Sequence, residues 1–222
     1  MASNLSGPRL PAKTGNAERL IILCHGYGAD GNDLIGLAPH WQNMLPAAAF
    51  VAPNGPQRCD MSPTGYQWFP ISRMDPEELG KGIDSAAPLL DEFIDEELDR
   101  HGLGPDQLAL VGFSQGTMLS LHVGLRRNVP PAAIVGFSGM LALPERMGEI
   151  TVRPPVLLIH GDQDDMIPAA TLFGSASALG AAELTVQWHI SHGIGHSIGP
   201  DGVSIAGKFL LDAFQGRLTI PT

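Results

Sequence analysis

The chain has 222 residues and a formal net charge of −10, with 44% hydrophobic and 16% charged residues. That length allows one large domain or two small ones, with enough apolar material for a sizeable core. The acidic balance excludes nucleic acid as a partner, because no basic excess is available to displace phosphate counterions, and it disfavours docking on anionic lipid.

The first twenty residues contain no apolar stretch of the signal-peptide kind. Nowhere does an apolar run reach the roughly 18 residues of a membrane span, so no stable membrane insertion and a cytoplasmic location are expected. The first strand-like run is 20–24, and it ends at Cys24. Cys24 and Cys59 are too few for a disulfide framework in a chain of this length, and Cys24 reads as a small core residue. His25-Gly26-Tyr27-Gly28 follows, then a helical pattern over 33–45 and a second strand over 48–52.

Residues 54–76 read as a long loop rich in proline, glycine and turn formers. This loop nevertheless carries Tyr66, Trp68 and Phe69, and clustered aromatics argue against disorder. A helix is predicted over 83–100, with apolar Leu89, Leu90, Phe93, Ile94 and Leu98 at helical spacing. Ten of the 23 carboxylates lie between Asp75 and Asp99. They read as the solvated face of that helix, the alternative being a docking surface for a basic partner.

Strands follow at 108–113, 132–137, 156–160 and 184–190, with helices at 115–126, 169–179 and 203–214. Unbroken apolar strands alternating with helices predict an α/β fold with a mostly parallel central sheet flanked by helices. No repeat and no linker divides the chain, so one domain over 1–222 is expected. Open α/β sheets bind ligands at the carboxyl ends of their strands. The polar residues that could do chemistry fall at four such ends: His25 onwards, Ser114-Gln115-Gly116, His160 to Asp165, and Ser191 to Ser197.

Gly112-Phe113-Ser114-Gln115-Gly116 matches Gly-x-Ser-x-Gly between a strand and a helix. Such a turn strains the central residue and brings its flanking glycines close, lifting the serine oxygen above the sheet. The other reading is a plain glycine-bounded turn whose serine caps the helix. A serine needs a base to become a nucleophile. Of the eight histidines, His192 and His196 lie in the last loop. His196 is preferred because it sits farther from the strand end and just ahead of the last helix. The carboxylate that orients the base comes from Asp162, Asp164 or Asp165, and spacing does not choose among them. One oxyanion donor is the backbone N–H of Gln115, and the other comes from the loop His25 to Asp33.

The blocks "LCHGYGADGNDL", "VAPNGP", "GFSQGTMLSLHVGL", "GFSG", "VLLIHGDQDDMIP" and "GIGHSI" together resemble the phospholipase/carboxylesterase family of α/β-hydrolases, which includes small carboxylesterases and acyl-protein thioesterases. The resemblance implies an α/β-hydrolase fold without a large cap domain, and a Ser-His-Asp triad of Ser114, His196 and Asp164. It implies backbone oxyanion donors at Tyr27 and Gln115. It also implies no metal and no cofactor, and members often form homodimers. Tyr27 stands where relatives commonly carry leucine, and the segment 57–74 has no matching block. The activity implied is hydrolysis of short-to-medium acyl esters or thioesters through an acyl-enzyme. Thioesterase, lysophospholipase and dienelactone-hydrolase-like activities are the alternatives, the last disfavoured by serine at the elbow. A ligand-binding module on the same fold is the non-enzymatic alternative. Trp68 and Phe69 are expected to line the acyl pocket, or else to pin their loop onto the core.

Overall fold

The computed structural model describes residues 4–218. In chain order, β1 (Arg9–Leu10) and β2 (Arg19–Cys24) precede two short helices, α1 (Gly31–Ile35) and α2 (Ala38–Trp41). Then come β3 (Ala48–Val51), a small hairpin of β4 (Gln57–Arg58) and β5 (Tyr66–Gln67), and the long helix α3 (Pro76–His101). β6 (Leu108–Phe113) runs into α4 (Gln115–Gly124), followed by β7 (Ala133–Phe137) and β8 (Val156–Gly161). The chain closes with α5 (Ala170–Ala181), β9 (Val186–Ser191) and α6 (Pro200–Phe214).

Seven strands form one sheet in the order β1-β3-β2-β6-β7-β8-β9. All its pairings are parallel except β1 with β3. Side chains alternate across a strand, so β2 feeds both faces. Leu20, Ile22 and Cys24 join the cluster under α3, α4 and α5, while Ile21 and Leu23 join the cluster under α2 and α6. Both faces are therefore covered, and the inner strands carry the unbroken apolar runs that a doubly covered sheet demands.

The helix expected over 33–45 is in fact two. Gly36 caps α1, and Pro39 lies in the first turn of α2, where its missing N–H costs nothing. Helix α3 starts earlier than the apolar spacing predicts. Asp75 accepts from the Glu78 N–H and Pro76 opens the helix, so capping extends it across a polar first turn. Gly102 ends it in the left-handed conformation at φ 64°. β1 is too short to announce itself by alternation.

The acidic face of α3 is largely answered from within the chain. Arg127 holds Asp91 and Asp95, Arg146 holds Asp84, and Lys81 holds Glu77. Glu97 is buried and accepts from Arg9 at 2.6 and 3.1 Å and from Arg100 at 3.0 Å. Burial alone would push the Glu97 carboxyl up. The hydrogen bonds from Arg9 and the charges of Arg9 and Arg100 outweigh it and hold the group below 4.5.

A group whose folded pKa is depressed stabilises the fold above its unfolded pKa, and loses that contribution as pH falls through the folded value. Glu97→Ala, which leaves two guanidinium groups facing an empty site, is expected to cost about 3 kcal/mol in urea unfolding at pH 7. The difference between variant and wild type should shrink as the pH is taken below about 4. A variant equally destabilised at pH 7 and pH 3 would contradict the role of the charge.

Candidate active site

The site is built at the carboxyl edge of β2, β6, β8 and β9. Strand β6 turns into α4 within one residue, and Ser114 takes the turn at φ 52°, ψ −115°. Positive φ is costly for a residue with a Cβ, so neighbouring contacts must enforce it. A Cβ on Gly112 would lie 2.4 Å from the backbone of Gly116 and Thr117. A Cβ on Gly116 would lie 1.9 Å from the Cys24 carbonyl oxygen. Both glycines are required for α4 to begin directly against β6 and β2. The Ser114 N–H donates to the Phe137 carbonyl at 2.8 Å, which tethers the turn to the end of β7.

Three side chains meet above this turn. His196 Nε2 lies 3.0 Å from Ser114 Oγ, and His196 Nδ1 lies 2.8 Å from Asp164 Oδ2. Of the three candidate aspartates, Asp164 alone is buried. Its Oδ1 accepts from the Met166 and Ile167 N–H groups at 3.0 and 2.9 Å. Burial pushes its carboxyl up, but the Ile167 N–H and His196 outweigh this and hold it below 3.8. Asp162 instead holds the exposed His192, at 2.9 Å, and accepts from the Gly193 N–H. The last loop is anchored by Ser138, a second residue at positive φ (44°), whose hydroxyl donates to the Ser197 carbonyl at 3.2 Å.

The loop after β2 lies against the turn. A Cβ on Gly26 would come within 3.2 Å of the Ser114 Cβ. Neither the Tyr27 nor the Gln115 N–H has a protein acceptor among the described residues. Gln115 occupies the first position of α4, where a helix supplies no partner. The N–H next to the serine and the N–H next to Gly26 are therefore both unspent.

Two strand-end histidines outside the Ser114–His196–Asp164 chain, His25 and His160, are buried. His25 Nε2 accepts from the Gly55 N–H at 2.8 Å, so its Nδ1 carries the proton donated to the Gly26 carbonyl at 2.7 Å. That carbonyl and the Tyr27 N–H belong to one planar peptide unit, so the bond sets the direction of the Tyr27 N–H. His160 Nε2 donates to the Ile167 carbonyl at 2.8 Å and lies 3.1 Å from Asp164 Oδ2. Each lies in a His-Gly pair at a strand end.

Trp68 and Phe69 do not line a pocket. Both are 0% exposed in the core cluster under α3 and α4, and a Cβ on Gly82 of α3 would strike the Phe69 ring at 2.2 Å. Gln115 clamps their backbone: its Oε1 accepts from the Trp68 N–H at 3.0 Å and its Nε2 donates to the Phe69 carbonyl at 2.8 Å. The Trp68 indole donates to the His25 carbonyl at 2.9 Å. These aromatics hold the loop to the site from beneath. The open space beside His196 lies elsewhere, in a hollow of about 340 Å³ between α1 and the 196–198 segment.

A doubly covered, mostly parallel sheet with a strained serine turn on its carboxyl edge and Ser, Asp and His supplied in that chain order defines an α/β-hydrolase. Within that class, residues 6–213 match the model of the phospholipase/carboxylesterase family, and the chain belongs to it. It is similar to acyl-protein thioesterase 1 of Kluyveromyces lactis, with 34% identity covering 74% of this chain and 77% of that protein. It is also similar to esterase YpfH of Escherichia coli, with 30% identity over 92% and 84% of the two chains. Among solved structures, that of esterase PE8 superposes with a TM-score of 0.91 at 44% identity, covering 94% of this chain and 99% of that one. Among the described residues no helix is long and apolar enough to cross a membrane.

Burial lowers the His25 pKa below 6.5 against smaller opposing effects of Gly26, Asp30 and Asp33. Nitrogen-15 spectra should therefore show His25 as the neutral Nδ1–H tautomer at pH 6, where an exposed histidine is largely protonated. A protonated ring there would contradict the acceptor role assigned to Nε2.

Proposed function

We propose that the protein hydrolyses carboxylic esters and thioesters of short-to-medium acyl chains through an acyl-enzyme on Ser114. The observation that carries this reading is the hydrogen-bonded chain Ser114–His196–Asp164, at 3.0 and 2.8 Å, set above a positive-φ turn. Relatives named esterase and acyl-protein thioesterase support the two substrate classes.

In this mechanism Ser114 Oγ attacks the carbonyl carbon as its proton passes to His196 Nε2. The carbonyl oxygen becomes an oxyanion between the N–H groups of Tyr27 and Gln115. Such preorganised donors act on charge that exists only in the transition state. His196 then delivers its proton to the leaving oxygen or sulfur, and the carbon–heteroatom bond breaks. Water enters and gives a proton to His196, and its oxygen attacks the acyl carbon. Collapse releases the acid and returns the proton to Ser114. Asp164 stays ionised throughout. It holds the His196 Nδ1–H and offsets the charge of the imidazolium, and the Met166 and Ile167 N–H groups keep its second oxygen in place.

Ser114 should label covalently with a fluorophosphonate, and Ser114→Ala should abolish labelling. Ser114→Ala and His196→Ala are expected to lower kcat by about four to six powers of ten. Asp164→Asn should lower it about 10⁴-fold, while Asp162→Asn stays near wild type. Folded protein that refuses the label would remove the hydrolase reading.

His25 separates the oxyanion donor from simple packing. In His25→Asn the amide nitrogen stands where Nδ1 does and still reaches the Gly26 carbonyl. In His25→Gln that donor is lost. The glutamine variant should lose about 10²-fold in kcat with KM little changed, and the asparagine variant should retain most of it. Equal losses in both, tracking their melting temperatures, would assign His25 a packing role only.

A further inference from the structure

We infer that the hollow between α1 and the 196–198 segment receives the alcohol or thiol portion of the substrate, and that it selects apolar groups without negative charge. This rests on the esterase reading above and adds to it which half of the ester is recognised, and where.

The assignment follows from the four bonds of the tetrahedral adduct. One goes to Ser114 Oγ, and the oxyanion occupies the corner facing Tyr27 and Gln115. The leaving atom must come within hydrogen-bond reach of His196 Nε2, because that nitrogen carries the proton it needs. Whatever the leaving atom bears therefore extends past the His196 ring. The ring lies in the wall of the hollow together with Phe113, the two centroids 5.1 Å apart. Leu34, Leu37 and Ile198 give most of the remaining apolar wall, in a space of about 340 Å³, large enough for a small ligand group. Leu37 and Ile198 also border a second hollow of about 550 Å³ that reaches Met44 and Val203, so a longer chain has apolar surface to continue along.

The charge is one-sided. Asp33 lines the hollow and is exposed, and no lysine or arginine does so. An anionic leaving group would approach a fixed carboxylate with no counter-charge beside it, in a chain already at −10. Neutral and cationic alcohols meet no such barrier. Trp68 and Phe69, which could have offered a competing apolar wall, are sealed in the core.

Two ester series test this: acetates of straight-chain alcohols from methanol to octanol, and methyl esters of acids from acetic to octanoic. Steady-state kcat/KM is measured for wild type, Leu37→Trp and, as a second filling variant, Ile198→Trp. The octyl-to-methyl ratio of the alcohol series should fall about tenfold or more in the filling variants. The octanoyl-to-acetyl ratio of the acid series should move less than about threefold. In Asp33→Lys, 4-acetoxybenzoate should gain about fivefold or more relative to phenyl acetate at low ionic strength, with the gain fading as salt is added.

A fall confined to the acid series would place the acyl chain in the hollow, and no change in either ratio would show that it is not a subsite. Either result ends this inference and leaves the esterase reading standing. Absence of fluorophosphonate labelling at Ser114 in folded wild type would end both.

Discussion

The contact on which the site depends is between backbones. The first turn of α4 lies so close to the ends of β2 and β6 that neither Gly112 nor Gly116 has room for a Cβ. That approach forces Ser114 to φ 52° and leaves the Gln115 N–H at an unpartnered helix start. It also brings the loop after β2 against the serine at Gly26. The strained serine turn, the loop beside it and the free helix-start N–H are thus products of one packing event. The strain, of order 1–3 kcal/mol, is held by the parallel sheet on either side.

Around that contact the buried polar groups are joined into a continuous frame. His25 ties the Gly26 peptide to Gly55, and Trp68 ties itself to the His25 carbonyl. Gln115 then ties Trp68 and Phe69 back to the serine turn. On the other side, Asp164 collects Met166, Ile167, His160 and His196. Buried polar networks of this kind rigidify only when each member is satisfied, because an orphaned partner in a low dielectric is costly. The frame explains how residues 54–76, a loop by composition, remain ordered: their aromatics face inward and their backbone is claimed by side chains of the site.

Legibility in the sequence followed the range of the interaction. The serine turn is local, so five residues and two flanking patterns disclosed it. The parallel sheet showed itself because strands covered on both faces must be apolar throughout. The choice among Asp162, Asp164 and Asp165 was not legible from spacing. Burial and two turn N–H groups decide it, and none of these leaves a mark in composition. The family resemblance pointed to Asp164, the residue the fold brings to His196. Trp68 and Phe69 were expected in a pocket because an aromatic in a loop looks alike whether it faces a ligand or the core. Gly82, thirteen residues beyond Phe69, makes the space that its ring fills. The break between α1 and α2 could have been read from Gly36 and Pro39, but the apolar spacing on either side masked it.

The proposed chemistry and the proposed recognition occupy different mechanical environments in this molecule. Ser114, Asp164, His25 and His160 are buried and held by groups whose partners are fixed. The hollow beside His196 is walled largely by half-buried side chains on two short helices and a loop, of which Leu34 alone is fully buried. A helix of five residues gains little stability from its own hydrogen bonds and takes its position from packing. Substitutions at Leu37 or Ile198 can therefore reshape the hollow while leaving untouched Gly112 and Gly116, neither of which lines it. The same separation limits what the frame can enforce. In the proposed mechanism a rigid oxyanion site lowers the barrier for any acyl group that reaches it, ester or thioester alike, so discrimination among substrates falls to the softer wall.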